Sequence, residues 1–336
     1  MSTNLKSAIQ FIVITLTGGI FMYFVFKDTN WTDLIIRMQS ANLTWLFFAM
    51  VVCVISHWIR AYRATLLYDA MGYHVGTINS FYAVLIGYMM NYIIPRAGEV
   101  SRCASLAKTD KMPLEKSLGT VVTERIVDMV LLLMILGFIF LLQFDMFIGF
   151  ITKSINERGA STNEGSILKW ILLIVFGSIV LLIFVLRKRL KNSPLFVKFF
   201  SLIQGFADGL LSIRHIKKPM LFILLSILIW VCYIFMMYLC LFAMEATSHL
   251  SFVDCLTVFA IGTLGVVLPA PGAGAGTYHF FVMQSLLLFG VAKEDGIAYA
   301  TMVHGAQMIL LLALGAVASL LVLVQQKRTK TNEQIQ

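Results

Sequence analysis

The chain has 336 residues, of which 59% are hydrophobic and 13% are charged, and its mean hydropathy is +0.87. Soluble domains carry about 25% charged residues, and several apolar runs here reach the roughly 20 residues that span a bilayer, so an ordinary soluble protein is excluded. The net charge of +9 fits basic cytoplasmic loops and needs no nucleic-acid partner. We therefore predict an all-α polytopic membrane protein.

Six apolar segments have the length expected of full membrane spans. They lie at about Ile9–Phe26, Leu43–Tyr68, Leu118–Leu142, Ile167–Leu186, Met220–Met244 and Ile297–Val324. The first is expected to be retained, because no small-residue cleavage site follows it. The strongly basic loop at 187–218, with an amphipathic stretch at 195–213, is expected to lie on the cytoplasmic side. We predict one membrane domain over 1–330, a polar tail at 331–336, and two cytoplasmic termini.

A first interrupted segment covers about residues 77–112. Apolar Thr77–Ile94 is followed at once by a proline, and Glu99–Lys111 is too polar to cross lipid. A full crossing by Thr77–Ile94 would place the basic segment Arg96–Lys116 outside, against the positive-inside rule. We therefore predict a re-entrant hairpin that turns at Pro95 and Gly98, since broken backbone is tolerated at membrane depth where it lines protein or a wet cavity.

A second interrupted segment covers about residues 252–290. Apolar Phe252–Val267 and Thr277–Phe289 flank the sequence LPAPGAGAG, whose composition excludes a continuous helix. The predicted turn residues are Pro269, Pro271, Gly272, Gly274 and Gly276. Re-entry of this hairpin and full crossing by both of its arms stay open, because the number of crossings has the same parity in either case.

The two interrupted segments align as a weak internal repeat. IIPRAGEVSR at Ile93–Arg102 matches VLPAPGAGAG at Val267–Gly276, and in the spans that follow Arg125 lies opposite His304. One hairpin is expected to enter from inside and the other from outside, which predicts an inverted repeat. Discontinuous helices in corresponding halves indicate a transporter's binding site near the midplane.

The span after the first hairpin carries three charged residues in its first turns. A charge at membrane depth costs about 2.5–3.5 kcal/mol on insertion scales, so these groups are expected to pair or to bind a polar substrate. Glu124 and Asp128 share a helix face, and Arg125 is spaced to pair with Asp128. A structural ion pair between helices is an equally weighted alternative.

The preceding span carries His57, Arg60 and Arg63 at intervals of three, on one helix face. Arginines near a span's end commonly extend to the headgroups. For Arg63 we favour such an extension to the cytoplasmic headgroups. For the deeper Arg60, extension to the headgroups and binding of a substrate are equally weighted.

These groups suit an amphiphile with a charged head. Arginine offers forked donors to phosphate, and the carboxylates are expected to pair with the arginines or with a cationic head. Tyr278 and His279 follow the glycine-rich turn and could hydrogen-bond a headgroup. For His279, a buried histidine whose hydrogen bonds are satisfied within the protein is an equally good interpretation. The predicted headgroup-binding residues are Arg60, Arg96, Glu99, Arg102, Glu124, Arg125, Asp128, Tyr278, His279 and His304.

Signatures of catalysis, of cofactor binding and of metal binding are not found in the sequence. The glycine-rich stretch is neither GxGxxG nor a P-loop, the six histidines are scattered, and the five cysteines form no CxxC and no even-numbered disulfide set. We expect no cofactor, no metal ion and no catalytic residue. An embedded enzyme with Glu124 or Asp128 as an acid–base group stays open.

The motifs NYIIPRAGEVSR, TERIVD and LPAPGAGAGTYHFF together resemble the transmembrane flippase region of bacterial lysylphosphatidylglycerol synthetase, over nearly the whole chain. The resemblance implies a multi-pass protein of the bacterial plasma membrane that moves an anionic or aminoacylated phospholipid between leaflets. Two departures stand out. The soluble aminoacyl-transfer domain of the full synthetase is not found, which implies a separate lipid-modifying synthase as partner, and the Pro-Gly-Gly common in relatives reads Pro271-Gly272-Ala273.

We therefore expect flippase-like lipid transport without catalysis. An intramembrane transferase with a lipid-linked donor is one alternative, and it would produce a chemically changed lipid. A scaffold that recruits a synthase through the loop at 187–218 is another, and it would tolerate mutations in the hairpins. A homodimer is compatible with the sequence, and a nucleic-acid partner is not expected.

Overall fold

The computed structural model of the protein describes residues 3–144, 216–268 and 270–335, and it describes side chains at 14–144, 216–268 and 270–327. The predicted span Ile167–Leu186, the amphipathic stretch at 195–213 and Pro269 lie outside these ranges. Every regular element in the described part is a helix, as predicted.

The helices follow the predicted order along the chain. The bounds of the longer helices are α1 Thr3–Phe26, α2 Trp31–Gln39, α3 Leu43–Ala70, α4 Thr77–Ile93, α5 Gly98–Thr109, α6 Leu114–Leu142, α7 Pro219–Leu241, α8 Phe252–Val267, α9 Thr277–Leu287 and α10 Lys293–Ile335. Two helical turns of four residues, Glu245–Ser248 and Pro271–Gly274, lie in the connections on either side of α8. In the described part, α3, α6, α7 and α10 are long and apolar enough to cross a membrane. The first predicted span appears there as a shorter apolar stretch, Ile14–Phe26, and α8 is another.

The chain divides into two compact units. Residues Met1–Leu132 and Arg214–Gln336 form the first unit. Residues Leu133–Ile213 form the second, and its described part is the end of α6 with the residues up to 144. The hairpins and every predicted headgroup residue lie in the first unit.

Two long helices begin earlier than predicted, for local chemical reasons. Helix α6 begins at Leu114, directly after Pro113, because the fixed φ of proline suits the start of a helix and its missing N–H is not needed there. Helix α10 begins at Lys293, and the acidic Glu294 and Asp295 of its first turn favour the positive end of the helix dipole. It continues to Ile335, because the residues after Val324 include no glycine or proline and most of the polar ones are glutamine, glutamate, lysine or arginine, which are good helix formers.

The first hairpin breaks where the sequence predicts. Helix α4 ends at Ile93 because the residue before a proline avoids helical angles, and Ile94 is extended at φ −129° and ψ 117°. Arg96 at the tip is left-handed with φ 65°. The Asn91 side chain accepts a hydrogen bond from the Gly98 backbone at 2.8 Å and so satisfies the first N–H of α5. A Cβ on Gly98 would collide with the Gly87 carbonyl oxygen, so α4 and α5 touch through backbone.

The second hairpin is interrupted by left-handed backbone between α8 and α9. Gly272, Gly274 and Gly276 have positive φ, as does Ala273 at 54°, which explains why no helix continues through this stretch. A Cβ on Gly276 would lie 2.5 Å from the carbonyl oxygen of Gly18, so the turn packs directly on α1.

The two halves of the first unit repeat the order of long helix, broken hairpin and long helix. The halves are α3–α6 and α7–α10. Their first helices are antiparallel neighbours: Arg63 reaches Ser226 at 3.0 Å and Arg60 reaches Tyr233 at 3.0 Å, so the contact advances along α7 as it recedes along α3. The first helices of the two halves therefore point in opposite directions.

Candidate functional site

A cluster of charged side chains is buried where α3, α5, α6 and α7 meet. Its members are Arg60, Arg63, Arg102, Glu124 and Asp128, and none is more than 7% exposed. Glu124 and Asp128 lie one turn apart and share a face of α6, as their spacing predicts. Charges this deep are tolerated only when they are paired and hydrogen-bonded.

Asp128 is bound by two arginines of α3. Its Oδ1 accepts a hydrogen bond from Arg63 Nη1 at 2.6 Å, and its Oδ2 accepts from Arg60 Nη1 at 2.8 Å and from Arg63 Nη2 at 3.3 Å. The same arginines reach α7, where Ser226 and Tyr233 accept from them at 3.0 Å. Asp128 therefore connects α3 to α6, and the arginines connect both to α7.

Glu124 is bound by the half-helix of the first hairpin. Arg102 donates from Nη1 and Nη2 to its two oxygens at 2.9 Å and 2.8 Å, which is a bidentate pair. Arg102 also donates to the Tyr68 hydroxyl at 2.8 Å, and Arg63 Nη2 lies 3.6 Å from Glu124 Oε2. The first hairpin is thereby joined to α3 and α6 through charged groups.

A polar cleft adjoins this cluster between the first hairpin, α3 and α6. Its lining residues are Arg60, Val84, Gly87, Tyr88, Asn91, Gly98, Glu99, Arg102 and Arg125. Glu99 and Arg125 form an ion pair across it, with Arg125 Nε 2.8 Å from Glu99 Oε1. Their side chains are 46% and 48% exposed, so this pair is accessible while the cluster beneath it is buried.

A second polar group lies at the second hairpin. His304 of α10 stacks on Tyr278 with ring centroids 5.5 Å apart and meets His279 edge-on at 5.0 Å. All three side chains are buried. Tyr92, at the end of α4, has its ring centroid 6.0 Å from that of His304, so this group borders the first hairpin. The Tyr278 hydroxyl and His304 Nε2 have no hydrogen-bond partner among the described residues.

Comparison with known proteins assigns the chain to a family. The profile of the lysylphosphatidylglycerol synthase TM region matches residues 8–315. The chain belongs to this family. It is also 24% identical over 312 residues to a UPF0104 membrane protein of Methanocaldococcus jannaschii, and the alignment covers 86% of this chain and 88% of that protein. No solved structure gives a significant match.

Membership in the lysylphosphatidylglycerol synthase TM region family confirms the resemblance seen in the three sequence motifs. The motifs contribute unequally to the sites. NYIIPRAGEVSR forms the tip of the first hairpin and supplies Arg102 to the buried cluster, and TERIVD supplies both of the cluster's carboxylates. LPAPGAGAGTYHFF supplies Tyr278 and His279 to the second polar group.

Two predicted interactions of this family member are wrong. Arg125 does not pair with Asp128, because it is rotated away from the buried face of α6 and pairs with Glu99 of α5. Arg63 does not extend to headgroups: it is fully buried and binds Asp128. Arg96 joins neither polar group; it is exposed at the hairpin tip and makes no ion pair or hydrogen bond within the described residues.

Sequence reasoning also missed three hydroxyl groups of the cluster, those of Tyr68, Ser226 and Tyr233. Ser226 and Tyr233 lie within an apolar span, where one polar residue gives little signal. For Arg63 the signal was present in the interval of three from Arg60, which predicts a shared face and hence a shared partner. Among the described residues, no group of three histidine, cysteine or acidic side chains is arranged to hold a metal ion.

Proposed function

We propose that the protein moves a phospholipid between the leaflets of a membrane and leaves the lipid chemically unchanged. One observation carries the proposal: the accessible Glu99–Arg125 pair lies in a cleft that is also lined by two arginines of the buried arginine–carboxylate cluster. A polar headgroup needs polar contacts at each depth to cross hydrocarbon, because an unpaired charge there costs several kcal/mol. The acyl chains would stay in the bilayer.

We propose that both hairpins re-enter the membrane and that the halves form an inverted repeat. The antiparallel course of α3 and α7 supports this arrangement, since equivalent helices of an inverted repeat point in opposite directions. Transport would then proceed by alternating exposure of the cleft to the two sides. We place the protein in a bacterial plasma membrane with six spans and both termini in the cytoplasm.

The family name suggests which lipid and which protein partner to test first. Since it refers to lysylphosphatidylglycerol, we propose an anionic or aminoacylated phosphatidylglycerol as the substrate, and a lipid-modifying synthase as the first protein partner to test. A homodimer is the first assembly to test. We propose no cofactor and no catalytic role for Glu124 or Asp128, because both carboxylates are bound by arginine.

The test uses purified protein in liposomes that carry tail-labelled phospholipids in both leaflets, with an impermeant quencher outside. We expect wild-type protein to expose the inner-leaflet label and Arg125→Ala to slow this about tenfold, the equivalent of one charged hydrogen bond. The matched control is Arg37→Ala, which removes an arginine paired with Asp33 and Asp295 away from the cleft. It should leave transport unchanged.

The proposal fails if vesicles with wild-type protein protect the inner label as well as empty vesicles do. It also fails if Arg125→Ala and wild type move lipid equally fast. Mass spectrometry of the recovered lipids separates transport from catalysis, because a transferase would return a lipid of altered mass.

A further inference from the structure

The hydrogen-bonding capacity of the buried cluster is used unequally. Both oxygens of Glu124 accept from Arg102, and Arg63 lies close to one of them. Both oxygens of Asp128 accept from α3, one from Arg63 and the other from Arg60 and Arg63. The acceptors of the cluster are therefore already engaged by protein donors.

The donors of the cluster are in excess. Among the described residues, three guanidinium groups face two carboxylates, so that the carboxylates described there balance two of the three positive charges. The Nε atoms of Arg60, Arg63 and Arg102 are buried, and none has a hydrogen-bond partner among the described residues. Buried polar atoms normally have partners, so three such donors in one cluster indicate a site that takes an acceptor from elsewhere.

Arg60 and Arg102 also line the polar cleft, so the cluster borders it. Their Nε atoms are buried, and a ligand reaches them only when the cleft opens in the proposed alternating exposure. Among the described residues that line the cleft, Glu99 is the one carboxylate, and it is occupied by Arg125. The groups available to a ligand are thus donors and positive charges. A cationic head would meet arginines, and none of the described lining residues offers it a free carboxylate.

We propose that the cleft binds a phosphate-type oxyanion through Arg60 and Arg102 and disfavours an ammonium group on the same ligand. This inference rests on the proposed lipid transport and narrows its substrate to anionic phospholipids, so that phosphatidylglycerol is preferred over its lysylated form. The shared chemistry is a phosphodiester or phosphate oxygen. The lipid headgroup and free phosphate are its two possible sources, and the experiment distinguishes them.

Binding is measured first, without any transport step. Purified protein in neutral detergent is mixed with equal amounts of phosphatidylglycerol and lysylphosphatidylglycerol, and the retained lipids are counted by native mass spectrometry. We expect about a tenfold excess of bound phosphatidylglycerol, because both lipids offer the same phosphodiester and only the lysylated head brings ammonium groups close to the arginines, where like charges repel. Equal binding, or an excess of the lysylated lipid, overturns the inference and leaves lipid transport itself in place.

Arg60→Lys tests the site directly. Lysine keeps the charge but lacks Nε and the planar fork, so phosphatidylglycerol binding should fall about tenfold if that donor engages the ligand. Arg37→Lys makes the same exchange outside the cleft and should bind lipid as wild type does. If Arg60→Lys does not fold, the wild-type preference between the two lipids still decides the matter. Unchanged lipid binding by a folded Arg60→Lys protein overturns the assignment.

Inorganic phosphate is the last arm of the experiment. If millimolar phosphate displaces phosphatidylglycerol, the oxyanion class is supported and free phosphate becomes the source, which overturns the lipid assignment. If phosphate leaves lipid binding unchanged, the headgroup is the source. A wild-type protein that prefers phosphatidylglycerol in detergent but moves no lipid in liposomes supports this inference and overturns the proposed transport, so the two failures are distinguishable.

Discussion

Each carboxylate of the buried cluster lies close to two arginines. Glu124 has one partner on α5 and a second on α3, and Asp128 has two on α3. A charge that is removed therefore leaves several buried partners without compensation. Removing one member of a buried pair costs far more than the pair itself contributes, since the remaining charge stays desolvated.

We expect Glu124→Gln to lower the free energy of unfolding by about 3–5 kcal/mol. Glutamine keeps the shape of the side chain, but it leaves Arg102 buried without its counter-charge and removes one of the two carboxylates near Arg63. The measurement is the thermal unfolding midpoint of the purified protein in detergent.

Glu99→Gln is the matched control, because it makes the same exchange on the accessible pair with Arg125. The Glu99 side chain is 46% exposed, so solvent screens the loss and we expect less than about 1 kcal/mol. If the two variants unfold at the same temperature, the cluster is not held together by buried charge.

For individual residues, the sequence predicted which face of α6 carries the two carboxylates, but it did not predict which arginines bind them. Glu124 and Asp128 are four residues apart, so their shared face follows from helix geometry alone. Arg125 is adjacent in sequence to Glu124 and therefore points about 100° away from it, a rotation that removes it from the buried face. Asp128 instead takes partners from α3, and the packing that brings α3 there is not encoded in the spacing along α6.

At the scale of elements, the first hairpin depends on close contact between two backbones. Gly87 of α4 and Gly98 of α5 face each other, and the Asn91 side chain fits between the helices to cap α5. Because Arg102 follows one turn after Gly98, the closeness of the helices also sets where this arginine meets Glu124.

We expect Gly98→Ala to destabilise the protein by about 1–3 kcal/mol, as overpacking does. The added Cβ would meet the Gly87 carbonyl oxygen and the Asn91 side chain, and a backbone oxygen cannot turn aside. Gly119→Ala on α6 is the control, since its Cβ would meet only Met71 Cε at 3.9 Å. An exposed helical glycine replaced by alanine should stabilise by about 0.5–1 kcal/mol.

Opposite signs for these two variants, read from thermal unfolding midpoints, would support the packing seen in the first hairpin. A Gly98→Ala protein as stable as wild type would contradict it. Lipid transport should fall in Gly98→Ala and stay unchanged in Gly119→Ala, because only the former change moves the half-helix that carries Arg102.

The sequence predicted the breaks in both hairpins because proline and glycine act locally. Pro95 ends α4 through its effect on the preceding residue, and the positive φ angles at Gly272, Gly274 and Gly276 are open to glycine. It did not predict that α1 would pack on the second turn through Gly18. That contact joins residues far apart in the chain, and glycine in a membrane helix carries no sign of what approaches it.

At the scale of the whole first unit, several connecting segments meet at one end of the long helices. Arg37 of α2 pairs with Asp33 and with Asp295 at the start of α10, and the hydrogen bonds that it donates to these carboxylates raise the pKa of Arg37. The backbone N–H of Asn42 donates to the carbonyl of Ala243 at 2.7 Å. The segments before α3, after α7 and before α10 are therefore on the same side.

The opposite end of α3 leads into the first hairpin. Asn79 of α4 donates to Asp110, just after α5, at 3.0 Å, so both ends of that hairpin lie together. His74, in the connection before α4, belongs to this end, and His249, in the connection after α7, belongs to the other. The two histidines are exposed, and the 28 residues of α3 separate the two ends.

These positions allow the proposed orientation to be tested with one matched pair of substitutions. The connection at His249 carries no lysine or arginine, whereas Lys111 and Lys116 flank the end of the first hairpin near His74, so the positive-inside rule places His249 outside. We expect an impermeant maleimide to label His249→Cys in intact cells and to label His74→Cys only after permeabilisation.

The wild-type protein is the control for labelling of the native cysteines, of which four are buried and Cys232 is half-buried. Labelling of His74→Cys alone in intact cells would reverse the orientation. Labelling of both would contradict a membrane-spanning α3, because that helix could not then separate the two positions.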